Sequence, residues 1–201
     1  MSPAVDRMFD AVTPLGLRRD GRCPRFEGPE PPPDGPVLLA PGAGRATKCW
    51  PAERFAEIAR RITGEGGRAL ALGSIAERPL LEGVVAGLDP SRAEAIACED
   101  PAELPRIAAR CPLALTNDSG LAHVAEAAGA RIVSLFGPTH PGLGFGPLAA
   151  DSAALHLGLG CSPCDPHGPA RCPKGHHRCL QDLGVDAVHE AMRAVAGGRA
   201  K

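Results

Sequence analysis

From Val37 onward the chain alternates short apolar runs with longer stretches of helical period, and that alternation leaves few folds open. The pattern predicts a strand over 37–40 and a helix with Pro51 at its first position, running to about Ile62. Phe55, Ile58, Ala59 and Ile62 share one face of that helix, and the glycines over 64–67 close it. A strand over 68–72, a Gly73-Ser74 turn and a helix to about Leu88 follow. Next come a strand over 93–97, a helix over 101–110, a strand over 112–115, a polar turn, a helix over 121–128 and an apolar strand around 133–136. A short strand over 153–157, a loop over 158–182 and an amphipathic helix over 184–196 complete the pattern. Strands and helices in strict alternation specify a doubly wound, Rossmann-like parallel sheet with helices on both faces.

Sheets of this kind bind ligands beyond the carboxyl ends of their strands. The chain places its polar groups at those ends: 42–48 after the first strand, 73–77 after the second, 116–120 after the fourth and 137–140 after the fifth. In the run Thr116-Asn117-Asp118-Ser119-Gly120-Leu121-Ala122-His123, Asp118 and Ser119 suit a helix N-cap. Gly120 lets a ligand approach the backbone, and the free amides of a helix start favour an anion such as a diphosphate. His123 falls on the first helical turn. Lys48 can offset diphosphate charge, with Arg45 a second cation nearby, or it can be a solvated loop lysine. Glu77, four residues after Gly73, can accept from ribose hydroxyls or can favour a helix start electrostatically. Trp50, the only Trp, reads as a packing anchor.

Residues 1–35 show little period, and the Pro-rich run over 29–36 has the composition of a linker. They read as a bridge, with a short amphipathic helix over 5–12, ahead of a domain spanning 36–201. A net charge of −1 gives no electrostatic case for nucleic acid or an anionic membrane. Aromatics are 3% of residues, with no Tyr, so stacking on bases is not a main theme. No charged-then-apolar leader and no membrane-length apolar run is present in these residues, so the expected location is cytoplasmic or peripheral at the inner membrane face.

The segments Asn117-Asp118-Ser119-Gly120-Leu121-Ala122-His123 and Phe136-Gly137-Pro138-Thr139-His140-Pro141 resemble the nucleotide-sugar-binding half of family 9 glycosyltransferases, the lipopolysaccharide heptosyltransferases. Pro41-Gly42-Ala43-Gly44 with Lys48-Cys49-Trp50-Pro51 resembles a further block of that family, as does the Cys-rich tail from Cys161 to Leu180. The resemblance runs from about Pro36 to the end and implies the C-terminal domain of a two-domain GT-B glycosyltransferase. It implies transfer of a heptose from ADP-heptose to a lipopolysaccharide core or lipid A acceptor, with inversion and with no cofactor beyond the ADP-sugar itself. It assigns Lys48, Asp118, the amides of Ser119, Gly120 and Leu121, and the neighbouring His123 to the donor diphosphate. It assigns Glu77, near Gly73, to the ribose, and Thr139 to the donor-sugar side. His140 stands where many members have Asp. The acceptor's catalytic base, an Asp, belongs to the family's N-terminal domain, for which the stretch before Val37 has no room. The expectation is therefore a donor-binding half that does not transfer sugar alone. A non-catalytic nucleotide- or zinc-binding module is the alternative, and a nicotinamide dehydrogenase is disfavoured because no Gly-x-Gly-x-x-Gly follows the first strand.

Eight cysteines without a secretory leader are expected to stay reduced. Cys161-x2-Cys164-x7-Cys172-x6-Cys179, with His176 and His177, has the ligand types for tetrahedral zinc but uneven spacing. The expectation is reduced thiols packed under the final helix, with zinc on these four cysteines as the second reading. Cys23, Cys49, Cys98 and Cys111 read as packing or incidental residues.

Overall fold

The computed structural model describes Pro14 and residues 23–198; the expected helix over 5–12 lies outside them. Among the described residues, six parallel strands form one sheet in the order β3-β2-β1-β4-β5-β6. They are β1 (Val37–Ala40), β2 (Ala69–Ser74), β3 (Ala93–Cys98), β4 (Leu113–Asn117), β5 (Arg131–Phe136) and β6 (Ala153–His156). The helices are α1 (Ala52–Gly64), α2 (Arg78–Val85), α3 (Leu104–Ala108), α4 (Gly120–Ala127), α5 (Arg178–Gln181) and α6 (Val185–Ala196). The doubly wound parallel sheet expected from the alternation is the observed one.

The strands alternate their side chains between two apolar layers, as a pleat requires. Leu39, Ala71, Leu115 and Val133 face one layer, with Phe55 and Ile58 of α1, Leu81 of α2 and Val188 and Met192 of α6. Leu38, Leu70, Ala114 and Ile132 face the other, with Ile107 and Ala108 of α3 and Ala125 of α4. The α1 face buries Phe55, Ile58, Ala59 and Ile62, the four residues its period singles out. Both α1 and α4 stop at a glycine in left-handed backbone. Gly66 (φ +88°) and Gly129 (φ +101°) let the next amides, those of Gly67 and Ala130, reach back to Ile62 and Ala125.

Several boundaries differ from the sequence reading. Pro51 caps α1 rather than opening it. Gly73 and Ser74 extend β2, because β3 pairs with it as far as Ser74. The helix expected to run to Leu88 is a 3-10 turn (Ile75–Glu77) followed by α2, and that over 101–110 is a 3-10 turn (Pro101–Glu103) followed by the short α3. Pro79 and Pro105 sit at the α-helical starts, where a missing N–H costs nothing. The loop over 158–182 contains α5, whose last carbonyls are held by Arg54. The chain leaves β1 for β2 and β3 on one side, then crosses back to β4 on the other. The topological switch point, the place where such sheets take ligands, is the gap between the carboxyl ends of β1 and β4.

Candidate nucleotide-binding site

Asn117, the last residue of β4, is fully buried and clasps the loop that follows β1. Its Oδ1 accepts from the Trp50 amide (3.0 Å) and its Nδ2 donates to the Pro41 carbonyl (2.7 Å). Trp50 is anchored in turn by its indole N–H on the Leu183 carbonyl (2.9 Å), as a packing residue should be. The loop bearing Lys48 is thereby tied to the end of β4. Sequence reading gave Asn117 no role; an amide at a strand end beside a loop without backbone pairing is the available signal.

Lys48 reaches the next residue: its Nζ lies 2.8 Å from Asp118 Oδ2, with the two side chains only 16% and 8% exposed. The same Oδ2 accepts from the hydroxyl of buried Thr139, at 2.7 Å. Asp118 is thus an anchor for Lys48, and its carboxylate does not cap α4. Ser119 does occupy the N-cap position, in extended backbone, but its side chain makes no capping bond. Ser119 Oγ is the one buried side-chain polar atom without a hydrogen-bond partner among the described residues. Gly120, the first residue of α4, is exposed, and a Cβ there would meet open space. His123 is exposed and makes no hydrogen bond or ion pair among the described residues. An ammonium has three donors, so Lys48 can keep Asp118 and still bind an anion at the start of α4.

Beyond Ser119 the surface dips into a cavity of about 170 Å³, lined by Gly42, Gly44, Leu72, Gly73, Glu77 and Leu121 among others. Glu77 fixes its far wall. Its Oε2 accepts from both the amide (2.7 Å) and the hydroxyl (2.8 Å) of Ser74, a capping box at the end of β2. The first-turn role weighed for Glu77 is therefore real, and it leaves Oε1 without a bonded partner among the described residues. A Cβ on Gly42 would overlap Oε1, and one on Gly73 would come within 2.6 Å of Oε2. Both glycines make room for this carboxylate. A larger cavity, about 600 Å³, lies among Phe26, Pro29, Pro105 and Ala109 and shares no lining residue with this one.

The turn after β5 is covered by the Cys-rich loop. Ser162 Oγ donates to the Gly137 carbonyl (2.6 Å) and the Cys164 amide to that of Pro138 (2.8 Å). His140 accepts from the Gly142 amide (2.9 Å) and stacks edge-on against His156, centroids 4.6 Å apart. The loop also roofs Lys48. Gly168 packs against its methylenes, Thr47 donates to the Pro169 carbonyl, and His177 Nε2 lies 2.6 Å from the Thr47 carbonyl. Arg45 is exposed.

All eight cysteines are free thiols. Of the four in the loop region, only Cys179 packs beneath α6, in the layer with Val188 and Met192; burial foremost pushes its pKa up to about 11. Cys161, Cys164 and Cys172 are half-buried on the loop, so the expectation that all four lie under the final helix is corrected. The backbone is why: the loop turns back over Thr47 before reaching α5. Among the described residues no three Cys, His, Asp or Glu side chains stand together as a metal-binding group.

A model of glycosyltransferase family 9 (heptosyltransferase) matches residues 20–170. The chain belongs to glycosyltransferase family 9. Lipopolysaccharide heptosyltransferase 2 of Salmonella typhimurium is 30% identical over 165 residues, 79% of this chain and 46% of the relative. A family 9 glycosyltransferase from Veillonella parvula superposes with a TM-score of 0.75 at 23% identity, covering 98% of this chain and 60% of that one. The E. coli ADP-heptose lipopolysaccharide heptosyltransferase II superposes with a TM-score of 0.67 at 23% identity, covering 98% and 52%. This family 9 chain therefore spans about half the length of these relatives, and its fold is that of one Rossmann-like domain of their GT-B architecture. No described helix is long and apolar enough to cross a membrane.

Proposed function

We propose that this family 9 domain binds the nucleotide diphosphate of an ADP-sugar, an ADP-heptose, and presents the sugar for transfer to a lipopolysaccharide core hydroxyl. The observation that carries the reading is a juxtaposition at the switch point. The Lys48 ammonium is held by Asp118, the residue before Ser119, and Ser119 at the start of α4, its hydroxyl unpartnered, lines one cavity with Glu77. Lys48 and the amides of Ser119, Gly120 and Leu121 take the diphosphate, and Lys48 stabilises the charge that develops on the departing nucleotide. Glu77 Oε1 accepts from the ribose hydroxyls. His123 stands on the exposed face of α4, beside the diphosphate. The turn carrying Thr139 closes the sugar side, while the Thr139 hydroxyl itself is engaged with Asp118. The base that deprotonates the acceptor belongs to an acceptor-binding domain, and the setting is the cytoplasmic face of the membrane that carries the acceptor.

Calorimetry tests this. ADP should bind the 201-residue protein, and Lys48→Ala should weaken ADP by about 1–3 kcal/mol, the scale of a lost charge-assisted hydrogen bond. Adenosine affinity should barely change. Equal losses for ADP and adenosine in a folded variant would remove Lys48 from the phosphates. Binding of NAD in preference to ADP would replace the reading with a dinucleotide one.

A further inference from the structure

Where the Lys48 ammonium stands depends on how its main chain is held, and two side chains from distant parts of the sequence hold it. Lys48 ends a 3-10 turn (Ala46–Lys48). One more residue of that turn would bring the Trp50 amide onto the Thr47 carbonyl, but Asn117 takes this amide at 3.0 Å. The Thr47 carbonyl finds its donor in His177 instead, whose Nε2 lies 2.6 Å away. A carbonyl only accepts, so the His177 ring carries its proton on Nε2.

His177 is also the one residue other than glycine with left-handed backbone among the described residues, at φ +48°. A residue with a Cβ takes that conformation at a cost, so its surroundings must impose it. His177 caps the short helix α5, and α5 is fixed at its other end. Arg54 donates to the carbonyls of Leu180 (3.3 Å), Gln181 (2.7 Å) and Leu183 (2.7 Å). Leu180 is buried against Gly137, where a Cβ would come within 2.5 Å of the Leu180 Cγ. With α5 pinned between Arg54 and Gly137, the His177 ring is delivered to the residue before Lys48. The same loop adds two contacts: Thr47 Oγ1 donates to the Pro169 carbonyl, and Gly168 (φ +84°) lies on the Lys48 methylenes.

We propose that His177 is a positioning residue for Lys48. By holding the Thr47 carbonyl it sets the main chain from which the ammonium reaches Asp118 and the start of α4. The inference rests on the reading that Lys48 binds the nucleotide diphosphate. His177 acts through Lys48 and spends its Nε2 proton on main chain. Asn117 and His177 bracket Lys48, one on the amide two residues later and the other on the carbonyl one residue earlier. They differ in reach. Asn117 is fully buried and also holds the Pro41 carbonyl, so its loss falls on the stability of the β1 loop. His177 is half-buried and holds one carbonyl, so its loss falls on the placement of Lys48.

Calorimetry of the full chain with ADP and with adenosine tests the role. His177→Gly suits the left-handed backbone and removes only the ring, so it should keep the native circular dichroism. Its ADP affinity should fall about tenfold while adenosine stays within about twofold. His177→Gln, which places an N–H at a similar reach, should recover most of the ADP affinity. Where the glycine variant does not keep its native spectrum, His177→Asn carries the same comparison, because Asn tolerates left-handed backbone and has a shorter reach. On a Lys48→Ala background His177→Gly should cost ADP nothing more, since the group it positions is gone. Equal losses for ADP and adenosine would make His177 a structural residue and overturn the proposal. So would a full additional loss in the double variant, or parent-like ADP binding by His177→Gly where Lys48→Ala weakens it; this last result leaves the diphosphate reading standing. Unchanged ADP binding by Lys48→Ala would remove the diphosphate reading, and the positioning role with it.

Discussion

The network behind the start of α4 and the cavity in front of it are built on opposite principles. After β4, the polar groups close on one another: Lys48, Asp118 and Thr139 share one carboxylate oxygen, and Asn117 pairs with main chain on the β1 loop. In the cavity between the start of α4 and the end of β2, polar groups are left open: Ser119 Oγ has no partner, and Glu77 uses one oxygen for Ser74 and turns the other towards Gly42. A paired network is a scaffold and sets where charge sits. An unpaired buried hydroxyl beside a half-used carboxylate is what a ligand with its own hydroxyls and phosphates would complete. On the proposed reading, the paired network of Asn117, Asp118 and Thr139 sets shape, the open groups Ser119 and Glu77 take the ligand, and Lys48 belongs to both.

The largest expected effect breaks the scaffold. Asn117→Leu keeps the volume but leaves the buried Trp50 amide and Pro41 carbonyl without their partner. Two unsatisfied main-chain groups should lower stability by about 3 kcal/mol. The denaturation midpoint should fall at unchanged slope. A midpoint equal to that of the parent would mean the β1 loop is held by something other than Asn117.

Much of the scaffold was legible in the sequence, and the reason is periodicity. The α1 face and the strand alternation follow from spacing alone, since burial of an apolar stripe is the strongest local signal a chain carries. Partnerships across the sheet are not local. Asn117 meets Pro41 and Trp50 from 76 and 67 positions away, and Thr139 reaches Asp118 across 21. Nothing in the runs themselves says that Asp118 spends its carboxylate on Lys48 and Thr139 instead of on the helix amides. Glu77 was legible as two roles because it has two oxygens, and the structure gives one of them to the capping box.

A second, smaller effect sharpens the recognition side. Gly42→Ala places a methyl on Glu77 Oε1 and forces the carboxylate out of its box with Ser74. If this cavity holds the nucleoside, adenosine and ADP should weaken together, by about 1–3 kcal/mol, the scale of hydrogen bonds to a charged group. Lys48→Ala is expected to touch ADP alone, so the two variants separate the network from the cavity by ligand. A Gly42→Ala protein that loses ADP affinity but keeps adenosine would move the phosphates to the Glu77 side and dissolve the division.

The smallest effect tests how firmly the Cys-rich loop is joined to the scaffold. His156, at the end of β6, accepts the Gly158 amide on Nδ1 (3.0 Å), so its proton is on Nε2, which faces Ser162 Oγ at 3.1 Å. Ser162 passes the chain on to the Gly137 carbonyl at 2.6 Å, and this relay pins the loop's first turn beside the end of β5. Protonating Nδ1 would cost the Gly158 bond. Burial, and then the neighbouring His140 ring, already lower the His156 pKa from its ordinary 6.5. The unfolded chain therefore binds this proton at a higher pH than the folded one does. In the window just below 6.5 the unfolded state holds more protons, so stability rises with pH there and is lost as pH falls through it. Denaturation midpoints measured between about pH 7 and pH 5 should decline for the parent protein, and less steeply for His156→Gln, which cannot take the proton. Parallel declines for the two proteins would show that the relay does not sense pH and that the loop is held by its other contacts.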